Sequence, residues 1–194
     1  MSVDRSRGGI SLPEKVIEIH RALTAAKVPH AIGGAIALAY YAEPRATVDV
    51  DVNVFVRVGG WPRVRDALVP LGVDVEIDDQ ALERDGQVRL WWDRNPVDLF
   101  FSYDPFHDDM EGATRRVPFV DDRLPILGPE HLLICKAIFD RPKDWLDIEA
   151  MLVVTEPLDL DEVESWLARM VGSDDKRLAK LGEILKRLEI ERGD

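Results

Sequence analysis

The chain has 194 residues, 46% of them apolar and 32% charged, which is the composition of a soluble globular domain and excludes both a disordered chain and a collagen-like or disulfide-stapled one. Its formal net charge of −12 excludes a protein that coats nucleic acid non-specifically, since that requires a broad basic surface to displace counterions. The same acidity would attract a cationic substrate or a basic partner.

Met1 to Gly9 are polar and contain no apolar stretch that could act as a secretory signal, so a cytoplasmic location is expected. Ser11 and Glu14 stand at capping-box spacing ahead of Leu12, Val16, Ile19, Leu23 and Ala26, which recur at helical intervals and predict a first amphipathic helix over 11–27. Val28 to Ile32 then read as a short strand, Gly33-Gly34 as a turn, and Ala35 to Ala42 as a helix. Glu43, Pro44 and Arg45 break that helix. Beyond them Val48, Val50, Val52, Val54 and Val56 alternate with Asp49, Asp51, Asn53 and Phe55, the clearest strand in the chain. A helix is expected over 61–70, then strand-like pieces at 73–77 and 87–92, a turn at Asn95-Pro96 and a strand over 97–102. Residues 104–113 read as an acidic loop, and 117–120 and 126–127 as short strands. From Pro129 the chain is helical. Pro142 interrupts the pattern, and two further helices are expected over 160–171 and 175–190. The shift at Gly128 divides a mixed core, 1–127, from a C-terminal helical segment, 128–194.

Chemistry is suggested by the acidic strand. Side chains alternate across a strand, so Asp49 and Asp51 share a face roughly 7 Å apart while the valines fill the other. Carboxylates so placed can hold two divalent cations, of which Mg²⁺ or Mn²⁺ suit an oxygen-rich site. The plainer account is a solvated edge strand kept from aggregating by charge, although aspartate is depleted in strands and two of them here interrupt a strong β run. Gly33 and Gly34 stand where a strand turns into a helix, a place where free N–H groups can meet a phosphate. Asp98, in Val97-Asp98-Leu99-Phe100-Phe101, is costly to bury unless a cation lies beside it, and it could accept the proton of an attacking hydroxyl. The single cysteine, Cys135, reads as a core thiol, and His20, His30, His107 and His131 are too widely separated in sequence to suggest metal ligands. Of Trp91 and Trp92, one is expected in the core.

Taken together, IGGAIALAYYAEPRATVDVDVNVFV at 32–56 and VDLFF at 97–101 resemble the signature of the polymerase β-like nucleotidyltransferase superfamily: hydrophobic-Gly-(Gly or Ser), helix, D-x-D on a strand, and a third Asp on a neighbouring strand. The resemblance implies an α/β (α+β) fold with a mixed sheet. It also implies transfer of a nucleoside monophosphate from NTP to an acceptor hydroxyl, with Asp49, Asp51 and Asp98 holding the metals. The run KAIFDRPKDWLDI at 136–148 is similar in part to a motif of the AbiEii and MenT toxins of toxin–antitoxin systems, although Ala137 lies one position early and Pro142 is an intrusion. By that resemblance Lys136 acts on the triphosphate, and Arg141, Lys143 and Asp147 join Gly33 and Gly34 in binding nucleotide. The acceptor would be RNA, a tRNA 3′ end, with Arg45, Arg115 and Arg116 as local phosphate contacts, and an antitoxin protein as a partner. On pattern alone the 136–148 run is also a solvated surface carrying charges of both signs, and Lys136, Lys143 and Asp147 share a face only if the helix is kinked rather than broken at Pro142. An antibiotic-type enzyme acting on a cationic or polyhydroxylated small molecule, and a silent member that only binds, are the competing readings.

Overall fold

In the computed structural model, residues 10–155 and 157–190 are described; the N-terminal reading of Met1 to Gly9 lies outside them. Strands β1 (His30–Ile32), β2 (Val50–Val54), β3 (Gln87–Trp92), β4 (Asn95–Phe101), β5 (Arg115–Phe119) and β6 (Asp122–Ile126) form one mixed sheet in the order β3-β4-β2-β1-β6-β5. β2 runs parallel to β4 and β1 parallel to β6, and the remaining neighbours are antiparallel. Helices α1 (Leu12–Ala25), α2 (Gly34–Leu38), α3 (Trp61–Leu68), α4 (Asp79–Asp85) and α5 (Pro105–Gly112) are interspersed with the strands, while α6 (Pro129–Phe139), α7 (Pro142–Val154), α8 (Leu160–Val171) and α9 (Lys176–Arg187) follow them. The expected α/β fold with a mixed sheet and a C-terminal helical segment is the one found.

The alternation in β2 decides which face of the sheet is core. Val50, Val52 and Val54 are fully buried and pair in register with Val97, Leu99 and Phe101 of β4. Trp61 of α3 meets Phe101 edge to face, 6.3 Å between ring centres, and α1 packs on α3, so these two helices close the valine face. The other face carries Asp51 opposite Asp98 and Asn53 opposite Phe100. Phe100 in turn meets Phe139 of α6, so the helices after Gly128 lie over the acidic side. Thr155 Oγ1 donates to the Tyr41 carbonyl (2.6 Å), one of several bonds from that segment to the earlier chain, and Tyr41 Oη donates to the Leu127 carbonyl (2.8 Å) just ahead of it.

Several local expectations need correction. Residues 73–77 form a single bridge, Asp74 to Trp91, rather than a strand, and α4 follows them, started by Asp78, whose carboxylate accepts from the Gln80 and Ala81 amides. The 104–113 stretch is a helix, not a loop: Asp104 caps its N-terminus and Pro105 suits its first turn. Asn95 and Pro96 lie inside β4, and Asp93 and Arg94 make the turn. Pro142 breaks the helix: α6 ends at Asp140 in the left-handed region, and α7 begins anew at Pro142. Trp92 is buried and Trp91 exposed, as the pairing of two adjacent strand residues requires. No helix among the described residues is long and apolar enough to cross a membrane.

The β5–β6 hairpin turns on Val120, whose φ of 52° is a left-handed conformation that a β-branched side chain disfavours by roughly 1–2 kcal/mol. Val120 is 65% exposed, so little packing is lost on replacement. Val120→Asn is expected to stabilise the protein by about 1 kcal/mol and raise its Tm by about 2–4 °C, read by thermal denaturation.

Candidate active site

The sheet register brings the acidic residues together. Asp51 and Asp98 are direct cross-strand partners on β2 and β4, and Asp49 precedes β2 by one residue on the same side. The approach of the chain to Asp49 is fixed from behind. Lys15, buried on α1, donates to Asp93, Asn95 and the Trp92 carbonyl (2.8–3.0 Å), and the Asn95 amide donates to the Val48 carbonyl (2.9 Å). Thr47 Oγ1 accepts from the Asp49 amide (3.1 Å).

The Gly-Gly corner is shaped by Asp51. Gly33 N–H donates to the Asp51 carbonyl (2.9 Å), continuing the sheet past β1. Gly34 has φ +53°, and a Cβ there would run into the Asp51 carboxylate, so glycine is required twice over, by conformation and by space. The turn therefore presents backbone directly to the carboxylate.

These residues line a cleft of about 460 Å³ shared with the helical segment. Of the sequence candidates, Gly34, Asp49, Asp51, Asp98, Lys136, Arg141 and Lys143 line it, together with Arg45; Gly33 and Asp147 do not. Asp147 lies behind the wall as a hub: it accepts from Lys136 Nζ (2.6 Å) and from Arg45 Nε and Nη2 (both 3.1 Å at the nearer oxygen). Burial pushes its carboxyl up, but these two cations outweigh it and hold Asp147 below the usual aspartate range. Lys136 and Asp147 meet although the helix is broken, because α6 and α7 pack side by side; the single-helix spacing expected to align them does not exist. Arg141 pairs with Asp144 across the first turn of α7 and lies over the Phe139 ring, 4.7 Å from its centre.

Burial, and then the charges of Asp98 and Asp49, push the Asp51 carboxyl up to about 6, against the opposing pull of Lys136 and Arg141. Crowded carboxylates of this kind are relieved by a cation, and the donors are hard oxygens, so the residues fit Mg²⁺ or Mn²⁺. Sequence reasoning missed Arg89 of β3, which faces Asp98 in register and donates to both its oxygens, Nε to Oδ1 and Nη2 to Oδ2, each at 2.7 Å. An arginine at period two on the strand before the VDLFF run is the only signal it leaves. Cys135 lines the cleft floor, and burial pushes its thiol up to about 12, so it is an unreactive wall group. Two of the arginines expected near RNA lie elsewhere: Arg115 and Arg116 are on β5, at the sheet edge opposite β3, with Arg115 over the Tyr41 ring.

A second acidic group sits apart from these residues. Asp109 of α5 accepts from His131 of α6 (3.0 Å) and from the Trp166 indole of α8 (2.9 Å), with Glu162 of α8 close by. The fold thus groups His131 with acids distant in sequence. Its Nδ1 is buried with no partner among the described residues, whereas a metal-bound imidazole ordinarily donates its second N–H, so the group is a hydrogen-bonded clasp between three helices.

No family model and no curated protein matches the chain. Solved structures do. ANT(2″)-Ia in complex with adenylyl-2″-tobramycin has a TM-score of 0.60 at 14% identity, covering 81% of this chain and 95% of that one. The solution structure of the antibiotic-resistance factor ANT(2″)-Ia has 0.57 at 16%, covering 89% and 96%. The lincosamide antibiotic adenylyltransferase LnuA, lincomycin-bound, has 0.54 at 16%, covering 73% and 98%. The fold of this chain is therefore that of nucleotidyltransferases.

Gly34→Ala is expected to cost at least about 1–2 kcal/mol, since it combines a left-handed alanine with displacement of Asp51; chemical denaturation measures it. At the clasp, burial, then the charge and hydrogen bond of Asp109, raise Glu162 from 4.5 to about 7. A folded-state value above the unfolded one means that the protonated form favours folding: that stability is present below pH 4.5 and is lost as pH rises through 7. Glu162→Gln should flatten the decline in Tm between pH 5 and 8 and leave the variant the more stable protein at pH 8.

Proposed function

We propose that this chain is a divalent-metal-dependent nucleotidyltransferase, transferring a nucleoside monophosphate from NTP to an acceptor hydroxyl with release of pyrophosphate. The observation that carries the reading is one cleft with three crowded carboxylates on its sheet side and Lys136, Arg141 and Lys143 on its helical side. Asp49, Asp51 and Asp98 would hold Mg²⁺ or Mn²⁺, which when bound activates an attacking hydroxyl and neutralises the departing pyrophosphate. The chain's own residues do the rest. Lys136 and Arg141 face the triphosphate, Lys136 oriented by Asp147 and Arg141 by Asp144, and Gly34 lets the phosphates approach the backbone. Asp147 thus acts by positioning Lys136 and Arg45, and Gly33 by anchoring the turn. Asp98 accepts the proton of the acceptor hydroxyl.

For the acceptor we favour a hydroxyl-bearing small molecule. The cleft is also lined by Phe100, Tyr103, Met110 and Ile138, and by Asp85, surroundings suited to a compact molecule with an apolar face and a cationic group. Net acidity would steer a cation inward. Among the structural neighbours, ANT(2″)-Ia is seen with adenylyl-tobramycin and LnuA with lincomycin. A second reading, an AbiEii/MenT-like toxin that modifies a tRNA 3′ end and is held by an antitoxin, is favoured by the gathering of Lys136, Arg141, Lys143, Asp144 and Asp147 where α6 meets α7. The separation of Arg115 and Arg116 from the cleft counts against it.

Incubation with each labelled NTP, Mg²⁺ and, in turn, aminoglycosides, lincosamides, total RNA and cell protein distinguishes these acceptors. Label on a small molecule is expected; label on RNA alone selects the toxin reading, and no transfer under any condition selects a silent binder. In the active pairing, Asp49→Asn, Asp51→Asn and Asp98→Asn should each lower turnover by more than about 100-fold while the circular dichroism spectrum is unchanged. Lys136→Ala should lower kcat/KM for NTP by about 10- to 100-fold, the worth of a charge-assisted hydrogen bond.

A further inference from the structure

The cation nearest the acidic row comes from the sheet itself. Arg89, Asp98 and Asp51 stand side by side on β3, β4 and β2, so their side chains leave the same face. The other arginines and the lysine with partners in this cleft make their direct ion pairs outside the row, Arg45 and Lys136 on Asp147 and Arg141 on Asp144, and act on the row only at longer range. Among the described residues, the ion pair made to the row is that of Arg89 on Asp98, and it is bidentate. It covers the oxygens that a divalent cation would use.

We propose that Arg89 is the resident counter-ion of the metal site: it holds Asp98 while no divalent cation is bound and yields the carboxylate when one arrives with nucleotide. The inference rests on the assignment of the three aspartates as cation ligands. Its physical basis is the asymmetry of the pair. The Asp98 side chain is 15% exposed and that of Arg89 56% exposed, on the edge strand of the sheet. The guanidinium can therefore leave into solvent without stranding a buried charge of its own. Asp98, by contrast, cannot be left bare beside Asp51, so something cationic must replace the arginine. A divalent ion carries twice the charge of the guanidinium it would replace. Arg89 lines the cleft, where a triphosphate would offer the released guanidinium bidentate oxygen partners. Arg89 would thus lower the affinity of the nucleotide-free protein for free cation, and the site would fill when cation and nucleotide come together.

Mn²⁺ binding tests this without turnover, by the loss of the free-ion electron paramagnetic resonance signal on titration of the nucleotide-free protein. Arg89→Gln is expected to bind Mn²⁺ about tenfold more tightly than the wild type. The gain should disappear when Arg89→Gln is combined with Asp98→Asn, because the competition runs through that carboxylate, and it should shrink when a non-hydrolysable NTP analogue is present. Equal or weaker Mn²⁺ binding by Arg89→Gln, or a gain that persists in the Asp98→Asn background, would overturn the proposal while leaving the metal site standing. Absence of Mn²⁺ binding in wild type and Arg89→Gln alike would overturn both.

Discussion

Everything around the cleft answers to one constraint: β2 and β4 run parallel with Asp51 opposite Asp98. Neighbouring strands lie about 4.8 Å apart, so the backbone ladder, not the side chains, sets how close these carboxylates come. Two unit charges about 5 Å apart at a protein surface repel by about 3 kcal/mol at an effective dielectric near 20. The elevated Asp51 carboxyl, the arginine clamped on Asp98 and the lysine and arginine across the cleft are the fold's responses to that repulsion.

The same constraint explains which features were legible in the sequence. Alternating Val and Asp over 48–56 fixes both faces of β2, and the valine register with Val97, Leu99 and Phe101 then leaves Asp98 on the acidic side. Gly33-Gly34 was legible as a turn, but the reason for Gly34, an approaching carboxylate from another strand, is a long-range contact that no local pattern carries. Arg89 was missed for a related reason. Its meaning depends on the antiparallel register of β3 with β4, and an arginine on an edge strand otherwise reads as solvated. The helix at 105–112 reads as a loop in the sequence and that at 79–85 goes unassigned because each is short and acidic, with its start marked mainly by an aspartate cap rather than by an apolar stripe.

The helical segment is less an appendage than a second wall. It supplies Lys136, Arg141 and Lys143 to the cleft, and Asp147 ties it to Arg45, which lies between α2 and β2. The composition shift at Gly128 marks where strands give way to helices, while the cleft draws its residues from both sides of it. Ser11 and Glu14 cap the first helix as expected, α6 begins at Pro129 as expected, and α8 and α9 begin within a residue of the expected 160 and 175.

Pro142 affects more than local hydrogen bonding. A single rod from Pro129 to Val154 would be about 39 Å long, comparable with the full width of a domain of this size, whose radius of gyration is about 16 Å. Such a rod would carry Lys143 and everything after it away from the sheet, and its far end would project beyond the surface. Folding it in two at Asp140 halves its reach and doubles back the second half. The first turn of α7 thereby stays beside the cleft, with Arg141 and Lys143 in its lining.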